Sequence, residues 1–277
     1  MIIEAFAKVN FTLEVFGRRP DGFHDLRSVV VPVSLSDTLE LEPAEDIICN
    51  SGFVDDLCVK AAEALREACQ CRLGAAIKVE KRIPVGGGLG GGSADAAAVL
   101  VALNSLWGLG KSREELARIA AAVGSDVPAL TLGGAVVMEG RGENVRALEL
   151  PSGMRFHLVL VNPGVFCSTG EVYARCNKRL QKDAAILYNM VSAMETGSCS
   201  AAGSAMMNDL QESAVSLHPE IATAMTALEE AGAGAVLMSG SGSTVFALVP
   251  SEARGREIAA LMEAKGFWAR SVRTVVR

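Results

Sequence analysis

The sequence predicts an α+β fold divided into two domains, and three observations lead to that prediction. Segments with strand and helix patterns are mixed along the chain without a strict βα alternation, which is typical of α+β proteins. The chain has 277 residues, half of them hydrophobic, which is enough material for two ordinary cores. The clearest candidate boundary lies near Pro151. We therefore predict one domain over residues 1–150 and another over residues 151–277.

The first domain is predicted to contain strands, helices and a hairpin. Its strand segments are extended in pattern, and its helical segments carry apolar residues three or four apart. Ser112 and Glu115 form a capping-box pattern, which indicates the start of one helix. In chain order, the predicted elements are strands 2–16, 29–33, 38–41 and 75–80, helices 54–68, 93–107 and 112–123, and a hairpin formed by 135–139 and 144–150.

The second domain is predicted to mix strands and helices in the same way. Residues 239–243, which alternate Ser and Gly, lie between two strand patterns and predict a tight loop. Residues 196–203 are small and polar, which predicts a mobile segment. The predicted elements are strand 156–162, helices 169–180, 183–195 and 221–231, strands 235–238 and 244–248, helix 253–264 and a C-terminal strand.

Composition excludes several classes of function. Lys and Arg number 26 against 32 Asp and Glu, so the net charge of −6 argues against nucleic-acid binding. The longest purely apolar run, residues 96–103, is far shorter than the roughly 20 residues of a membrane helix. No signal peptide is recognisable, and the seven cysteines form no C-x-x-C pair. From these two observations we expect a cytoplasmic protein with reduced thiols. The three histidines are far apart in the sequence, so we expect no protein-bound metal.

The most informative segment is a glycine-rich loop. Six of the 28 glycines lie between residues 86 and 92, after Pro84 and before Ser93. Glycines allow several backbone N–H groups to turn toward one anion, and the start of the following helix adds partial positive charge. A flexible linker is the alternative, but a strand enters the loop and a helix leaves it without a polar spacer. We therefore predict a phosphate-binding loop.

Three common phosphate-binding motifs do not account for this loop. Gly86, Gly88 and Gly91 satisfy G-x-G-x-x-G, but no strand ending in an acidic residue follows about 20 residues later, as a dinucleotide-binding fold requires. No Lys-Ser or Lys-Thr follows the glycines, so the loop is not a Walker A motif. Protein-kinase signatures such as H-R-D are missing.

The loop resembles the ATP-binding motif of the GHMP small-molecule kinases, Pro-x-x-x-Gly-Leu-Gly followed by small residues and a helix. Residues 7–10 (AKVN) and 239–246 (SGSGSTVF) are similar to two further motifs of that family, in the same order. The resemblance implies a two-domain GHMP kinase fold with the active site in the cleft between the domains. It also implies ATP, with Mg²⁺ bound mainly through the ATP phosphates. The residues implied to contact ATP are Lys81, Pro84, Gly86, Gly87, Gly88, Leu89, Gly90, Gly91, Gly92, Ser93 and Asp95.

Within this family, the chain is similar to members whose substrate is a cytidine diphosphate ester of methylerythritol, an intermediate of isoprenoid synthesis outside the mevalonate route. The segments that carry this similarity are 7–11, 17–24, the glycine loop, 124–128, 162–165, 168–169 and 208–210. The implied activity is transfer of the ATP γ-phosphoryl group to the 2-hydroxyl of the methylerythritol unit.

The resemblance implies two catalytic residues. Asp126, in a Gly-Ser-Asp-Val-Pro segment, would accept the proton of the attacking hydroxyl. Lys8 would lie beside it, keep it ionised and counter charge on the hydroxyl and phosphoryl oxygens. Considered without the family, Asp126 would cap a turn before Pro128, and Lys8 would be a solvated lysine on a strand.

The resemblance also implies a substrate site. His24 would bind the cytosine edge between the rings of Phe23 and Tyr173, and Asn10 would bind the methylerythritol hydroxyls. Without the family, both aromatic residues would be ordinary core or surface side chains. The residues implied to contact the substrate are Asn10, Phe23, His24, Thr169, Tyr173 and Gly240.

One departure from the family pattern and two other functions remain open. Asp56-Leu57 stands where the family has an Asn-Leu against adenine, and a carboxylate cannot donate a hydrogen bond as an amide does. The alternatives are another GHMP kinase, of the homoserine or mevalonate type, and a noncatalytic nucleotide-binding regulator. We expect a monomer or homodimer whose ligands are small molecules, with no nucleic-acid or membrane partner.

Overall fold

The computed structural model describes residues 1–52, 55–176 and 183–275, and it has mixed helix and strand content. The helices are α1 Leu57–Ala68, α2 Gly91–Leu106, α3 Arg113–Ala120, α4 Val127–Leu132, α5 Thr169–Arg175, α6 Ala184–Glu195, α7 Cys199–Ala205, α8 Gln211–Leu217, α9 Glu220–Glu230 and α10 Glu252–Ala264. The strands are β1 Ile2–Arg18, β2 His24–Ala44, β3 Ile47–Cys49, β4 Gly74–Glu80, β5 Val136–Gly140, β6 Asn144–Ala147, β7 His157–Asn162, β8 Met207–Asn208, β9 Val236–Met238, β10 Val245–Val249 and β11 Trp268–Arg273.

A large sheet in the N-terminal half contains the long antiparallel pair β1 and β2. Its strand order is β3-β4-β2-β1-β8, and β5 pairs with β2 and with β6. The register between β1 and β2 shifts between Phe6 and Lys8 and again between Asn10 and Thr12. Such irregularities bend a strand and redirect its side chains. Lys8 and Asn10 therefore lie on a short segment of β1 with an irregularity on either side.

Alternation along β1 separates a core face from a polar face. Ala7, Val9 and Phe11 are fully buried in the hydrophobic core. Lys8 and Asn10 point to the other face, because successive side chains of a strand alternate, and they are only 3% and 2% exposed. Polar side chains that are this well buried need partners, so the second face of β1 is covered by a polar site rather than by solvent.

A second sheet, in the C-terminal half, has four strands in the order β11-β7-β10-β9. Helix α10 packs on it, and β7 lies between two antiparallel partners. The two halves of the chain also share main-chain contacts, since β8 pairs in parallel with β1 and Val33 bridges to Thr274. The division near Pro151 into residues 1–150 and 151–277 stays a prediction.

Most predicted elements are confirmed within a few residues. The predicted hairpin forms as β5 and β6, and the capping box at Ser112 is complete, with Glu115 bonding back to the backbone of Ser112. Of the predicted helix 54–68, residue 54 lies outside the described residues, and the helix begins at Leu57. The helix predicted over 169–180 ends at Arg175, and residues 177–180 lie outside the described residues.

One prediction about elements is wrong. The two strands predicted over 29–33 and 38–41 are parts of the single strand β2, because Ser36 and Asp37 continue the ladder with β1. The segment 196–203 contains most of α7, whose first turn is capped by the Ser198 hydroxyl, and its mobility stays a prediction. The helix predicted over 93–107 forms as α2 and begins two residues earlier, at Gly91. Helices α4 and α8 were not predicted, because each is too short to show a helical period.

No helix among the described residues is both long enough and apolar enough to span a membrane.

Candidate active site

A cleft of about 1170 Å³ lies where the glycine loop meets β1 and the C-terminal half. This volume exceeds the roughly 300–1,000 Å³ of an ordinary ligand pocket. The cleft is therefore large enough for two ligands side by side. All but one of the predicted site residues line it: Lys8, Asn10, Phe23, His24, Lys81, Pro84, Gly86, Gly87, Gly88, Gly90, Gly91, Gly92, Ser93, Asp95, Asp126, Thr169, Tyr173 and Gly240.

The exception is Leu89. Its side chain is 1% exposed and packs in the hydrophobic core, while its carbonyl accepts a hydrogen bond from the backbone N–H of Lys8 at 3.0 Å. Leu89 thus anchors the glycine loop to β1 and does not face the cleft. The prediction that it contacts the nucleotide has no support from this geometry.

The glycine loop has a backbone that only glycine adopts easily. Gly86, Gly88 and Gly90 have φ of 69°, 74° and 68°, in the left-handed region. A Cβ on Gly88 would lie 2.2 Å from the carbonyl oxygen of Ser239. Gly90 is the N-cap of α2 and has no side chain to satisfy the first N–H groups of the helix. Those N–H groups and the positive end of the helix dipole suit a phosphate.

The C-terminal motif fixes the loop from the opposite side. The Ser239 hydroxyl donates to the carbonyl of Gly88 at 3.0 Å, and the backbone N–H of Thr244 donates to the carbonyl of Gly87 at 3.1 Å. The Asn208 side chain donates to the carbonyls of Met238 and Gly240, each at 2.8 Å. The resemblance of residues 208–210 to a family signature therefore has a structural reason, since Asn208 holds this loop in place.

Lys8 and Asp126 meet at the centre of the cleft. Lys8 Nζ lies 3.5 Å from Asp126 Oδ2 and donates to Asn10 Oδ1 at 2.7 Å. Asn10 Nδ2 in turn donates to the Ser28 hydroxyl at 2.8 Å. Asp126 is at the N-cap position of α4, but its side chain forms no capping hydrogen bond. The capping role considered as an alternative is therefore wrong, and the carboxylate is directed to Lys8.

Lys81 lines the cleft, but its ammonium group is already bound to two carboxylates. Lys81 Nζ donates to Asp37 and, at 2.6 Å, to Asp95. Burial alone would lower the pKa of Lys81, but the two carboxylates raise it above its ordinary value. Burial raises the pKa of Asp95 to about 7, although Lys81 acts in the opposite direction. Two carboxylates thus share one ammonium group beside the glycine loop.

The aromatic residues lie at the other end of the cleft. The rings of His24 and Tyr173 are in contact, with centroids 5.1 Å apart, whereas Phe23 is 48% exposed. Burial raises the pKa of the Tyr173 phenol, which keeps it neutral. The guanidinium of Arg141 lies 5.2 Å from the centroid of the Phe23 ring. These rings form an aromatic wall with a cation at its edge.

The remaining predicted residues lie between the two ends. The Thr169 and Ser241 hydroxyls are 3.0 Å apart. A Cβ on Gly240 would lie 3.0 Å from Lys8 Nζ, so the backbone at Gly240 closely approaches the Lys8–Asp126 pair.

Asp56 serves chiefly as a helix cap. Its carboxylate accepts from the backbone N–H of Cys58 at 2.7 Å and from the Ser51 hydroxyl. Burial alone would raise the pKa of Asp56, but these hydrogen bonds lower it below its ordinary value. Asp56 thus lines the cleft as an ionised acceptor, as its side-chain chemistry predicts.

Among the cleft-wall residues that sequence reasoning did not assign to the site, three are large or charged side chains that change its character. Arg18 and Arg141 add positive charge to it, and Phe166 is 67% exposed with its ring against Gly86. Arg18 lies within the motif over residues 17–24, so its charge could have been noticed. Arg141 could also have been noticed, because its flanking glycines predicted a hairpin tip. Nothing local in the sequence marks Phe166.

The cleft is less acidic than the chain as a whole. The side chains of Lys8, Arg18, Lys81 and Arg141 balance four aspartates in its lining, Asp55, Asp56, Asp95 and Asp126, and the backbone N–H groups at the start of α2 add partial positive charge. This arrangement can hold two polyanions and can place a carboxylate beside a hydroxyl group. Phosphoryl transfer needs that combination of positioning and charge neutralisation.

Comparison with known proteins agrees with this geometry. Residues 56–134 match the model of the GHMP kinase N-terminal domain, and residues 190–266 match that of the GHMP kinase C-terminal domain. A 4-diphosphocytidyl-2-C-methyl-D-erythritol kinase of Symbiobacterium thermophilum is 44% identical over 268 residues, which cover 92% of this chain and 93% of that protein.

Solved structures give the same result. A crystal structure of 4-(cytidine 5'-diphospho)-2C-methyl-D-erythritol kinase superposes with a TM-score of 0.84 at 33% identity, covering 99% of both chains. Homoserine kinase of Cytophaga hutchinsonii has a TM-score of 0.74 at 18% identity, covering 98% of this chain and 94% of that chain, and shares the fold. The chain belongs to the GHMP kinase family and, within it, to the 4-diphosphocytidyl-2-C-methyl-D-erythritol kinases.

Proposed function

We propose that this kinase transfers the γ-phosphoryl group of ATP to the 2-hydroxyl of 4-diphosphocytidyl-2-C-methyl-D-erythritol. The observation that carries the proposal is the Lys8–Asp126 pair, 3.5 Å apart, between the glycine loop and the aromatic wall. A phosphate-binding element lies on one side of this pair and a surface suited to a flat base lies on the other. The names of the relatives supply the identity of the substrate.

The glycine loop is assigned the ATP phosphates. Backbone N–H groups around Gly88 and Gly90 and the start of α2 would hold them. Mg²⁺ enters as part of the MgATP substrate, coordinated mainly by phosphate oxygens, and neutralises part of their charge. No protein side chain is assigned as its ligand.

We assign Asp126 as the base that accepts the proton of the attacking hydroxyl. As the 2-hydroxyl oxygen forms a bond to the γ-phosphorus, the bond from that phosphorus to the β,γ-bridging oxygen breaks, and its electrons leave with ADP. The hydroxyl proton passes to the Asp126 carboxylate and from there to solvent. An alcohol is a weak nucleophile at neutral pH, so this acceptor lowers the barrier.

We assign to Lys8 the role of stabilising the charge on the phosphoryl group as it is transferred. Lys8 is 3% exposed, and Asn10 Oδ1 accepts a hydrogen bond from its ammonium group at 2.7 Å. A fixed cation in a site shielded from water stabilises developing charge more than a mobile solvated lysine can. Asn10, on the same face of β1, is assigned the methylerythritol hydroxyls.

The aromatic wall is assigned the cytosine. Tyr173 and Phe23 offer ring faces, and His24 offers ring nitrogens for the base edge. Substrates without a base, such as homoserine and mevalonate, would leave this wall uncovered, which disfavours the alternative kinase activities. The noncatalytic alternative is disfavoured because both Lys8 and Asp126 are present and in contact.

A substrate panel tests the proposal. The purified chain with MgATP should release ADP with 4-diphosphocytidyl-2-C-methyl-D-erythritol and not with mevalonate or homoserine. A reaction without ATP and one without acceptor serve as blanks. ADP release with mevalonate or homoserine alone would overturn the substrate assignment, and release with no acceptor in the panel would favour the regulator.

The cytoplasmic location, the monomeric or homodimeric state and the absence of a nucleic-acid partner stay predictions.

A further inference from the structure

A cluster of three metal-ligating side chains lies at the edge of the cleft, apart from the Lys8–Asp126 pair. Cys49 is the last residue of β3, Asp56 is the N-cap of α1, and Cys58 lies in the first turn of that helix. The two Sγ atoms and a carboxylate oxygen of Asp56 all lie within 4.8 Å of one another. The proposed phosphoryl transfer uses none of these three side chains.

We propose that Cys49, Asp56 and Cys58 bind one thiophilic divalent cation of the Zn²⁺ class. Two thiolates and a carboxylate are donors that Zn²⁺ prefers, with bonds of about 2.3 Å to sulfur and about 2.0–2.2 Å to oxygen. Tetrahedral coordination at those lengths places donor atoms about 3.5–3.8 Å apart. Since no two of the donor atoms are more than 4.8 Å apart, the cluster has to contract by at most about 1.3 Å, which side-chain rotation can provide.

The charge of the cluster favours a cation. Among the residues that the structure describes, Asp56 forms no ion pair, and the nearby Lys60 pairs with Asp55 instead, at 3.5 Å. Cys58 is 3% exposed, so its thiol lies away from bulk water. A partly buried carboxylate beside two thiols, with no neutralising cation, gains from binding one.

The backbone around the cluster is held in place. Asn50 donates its backbone N–H to the carbonyl of Ile77 at 3.1 Å, and its side chain accepts from the N–H of Val79 at 2.7 Å. The Ser51 hydroxyl donates to Asp56. Cys49 and Asp56 therefore each lie next to a residue or group that already has hydrogen-bond partners, which reduces the entropy cost of assembling the site.

The coordination sphere has one open position. Asp56 and Cys58 line the cleft, so a water molecule from the cleft can supply the fourth ligand. Binding is an exchange of protons for metal. Each cysteine that is still a thiol releases its proton to solvent as its sulfur forms a bond to the cation, and no electron is transferred.

Titration with Co²⁺ tests the proposal without relying on activity. The untagged full-length chain is fully reduced, its free thiols are counted, and it is kept free of oxygen. We expect one Co²⁺ per chain, with the near-ultraviolet charge-transfer band of a cobalt thiolate, and displacement of that band by stoichiometric Zn²⁺. The Cys49→Ser and Cys58→Ser variants should each lose more than about tenfold in Co²⁺ affinity, since even residues behind the ligands have effects of that size.

Two variants serve as matched controls. Asp55→Asn removes a neighbouring exposed carboxylate while Asp56→Asn removes the proposed ligand, and only the second should weaken binding. Cys199→Ser removes an exposed cysteine outside the cluster and should leave the titration unchanged. Cys49 is only half-buried, so its serine variant tests the site even if Cys58→Ser does not fold. The proposal is overturned if the reduced wild-type chain shows no thiolate band, or if Cys49→Ser binds Co²⁺ with the affinity of the wild type.

Discussion

At the scale of single residues, the catalytic assignment depends on what Asp126 does with its carboxylate. An N-cap aspartate ordinarily bonds to the first turn of its helix. Asp126 forms no such bond and instead faces Lys8 at 3.5 Å, while Lys8 keeps a second partner in Asn10. Helix α4 therefore lacks a side-chain cap from Asp126, and the carboxylate is available beside a buried ammonium group. This is the geometry that the assigned proton transfer needs.

The Asp126→Asn variant tests this assignment. We expect kcat to fall by about 10²–10⁴, the usual contribution of a general base, because an amide cannot accept the hydroxyl proton. ATP affinity should change little, since the glycine loop is untouched. Steady-state kinetics and direct ATP titration measure the two quantities separately.

The Asp46→Asn variant, which changes an exposed carboxylate outside the cleft, is the control and should keep wild-type kinetics. A normal kcat in Asp126→Asn would remove Asp126 from the role of base. A loss of kcat together with a lower thermal midpoint would instead indicate that the variant is misfolded. The thermal midpoint of each variant is therefore measured alongside the kinetics.

For single residues, the motif resemblance correctly predicted most of the side chains that line the cleft. It did not predict which other side chains they contact. Every predicted site residue but Leu89 is there. Yet the ammonium group of Lys81 is bound to Asp37, which lies 44 positions earlier in the chain. Such a contact depends on strand pairing between distant segments, and no local spacing in the sequence indicates it.

At the scale of elements, the glycine loop is fixed by contacts from both halves of the chain. Its glycines meet two requirements. They adopt left-handed backbone angles, and they leave room for the backbone of the neighbouring loop to approach closely. Gly88 shows both requirements, with φ of 74° and the Ser239 carbonyl 2.2 Å from where a Cβ would lie. The hydroxyl of Ser239 also donates to the Gly88 carbonyl, so the two loops interlock.

Comparing Gly88→Ala with Gly110→Ala separates the two requirements. Gly110 has φ of 64°, and no atom of the described residues lies within 4 Å of where a Cβ would be, so Gly110→Ala tests backbone strain alone. We expect Gly110→Ala to lower the free energy of unfolding by about 1–2 kcal/mol. Gly88→Ala should lower it by about 2–5 kcal/mol, because overpacking adds about 1–3 kcal/mol to the strain.

Chemical denaturation measures both changes, and ATP titration adds a functional readout. Gly88→Ala should also weaken ATP binding, since the phosphate-binding backbone shifts, whereas Gly110→Ala should not. Equal effects of the two variants on unfolding and on ATP binding would contradict the proposed interlocking of the loops.

Among the elements, long periodic segments were predictable and short or nonlocal ones were not. The apolar spacing in α1 and the capping box of α3 are local signals, and both elements formed. Strand β2 appeared as two strands because Ser36 and Asp37 interrupt its apolar pattern. They remain in the strand because Asp37 accepts backbone N–H groups from Arg82 and, at 2.8 Å, from Ile83. That stabilisation is tertiary and is absent from the local sequence.

At the scale of the whole molecule, a chain with net charge −6 holds a cleft for polyanions by distributing its charges unevenly. Arg18, Arg141 and Lys8 line the cleft, and the buried carboxylates of Asp37 and Asp95 both bind the ammonium group of Lys81. The fold class could be predicted, since it depends on the mixture of elements along the whole chain. The buried ion cluster could not, because its members come from β2, α2 and the segment after β4.

The buried cluster should make global stability depend on pH through Asp95. Its pKa is raised from 3.8 to about 7 in the folded state, so between those values the folded chain binds a proton that the unfolded chain has released. Stability contributed by this proton is therefore complete below about pH 4, falls as the pH rises toward 7, and is absent above it. The slope cannot exceed about 1.4 kcal/mol per pH unit for one group.

The Asp95→Asn variant isolates this effect, because an amide does not titrate while all other groups titrate in both proteins. We expect the stability of the wild-type chain relative to Asp95→Asn to decline from about pH 4 to about pH 7 and then to stay constant. Denaturant unfolding at a series of pH values measures this difference, and Asp46→Asn should run parallel to the wild type throughout. Parallel curves for the wild type and Asp95→Asn would show that Lys81 keeps Asp95 ionised in the folded state. A difference that instead grows with pH would mean that Lys81 outweighs burial and lowers the pKa of Asp95.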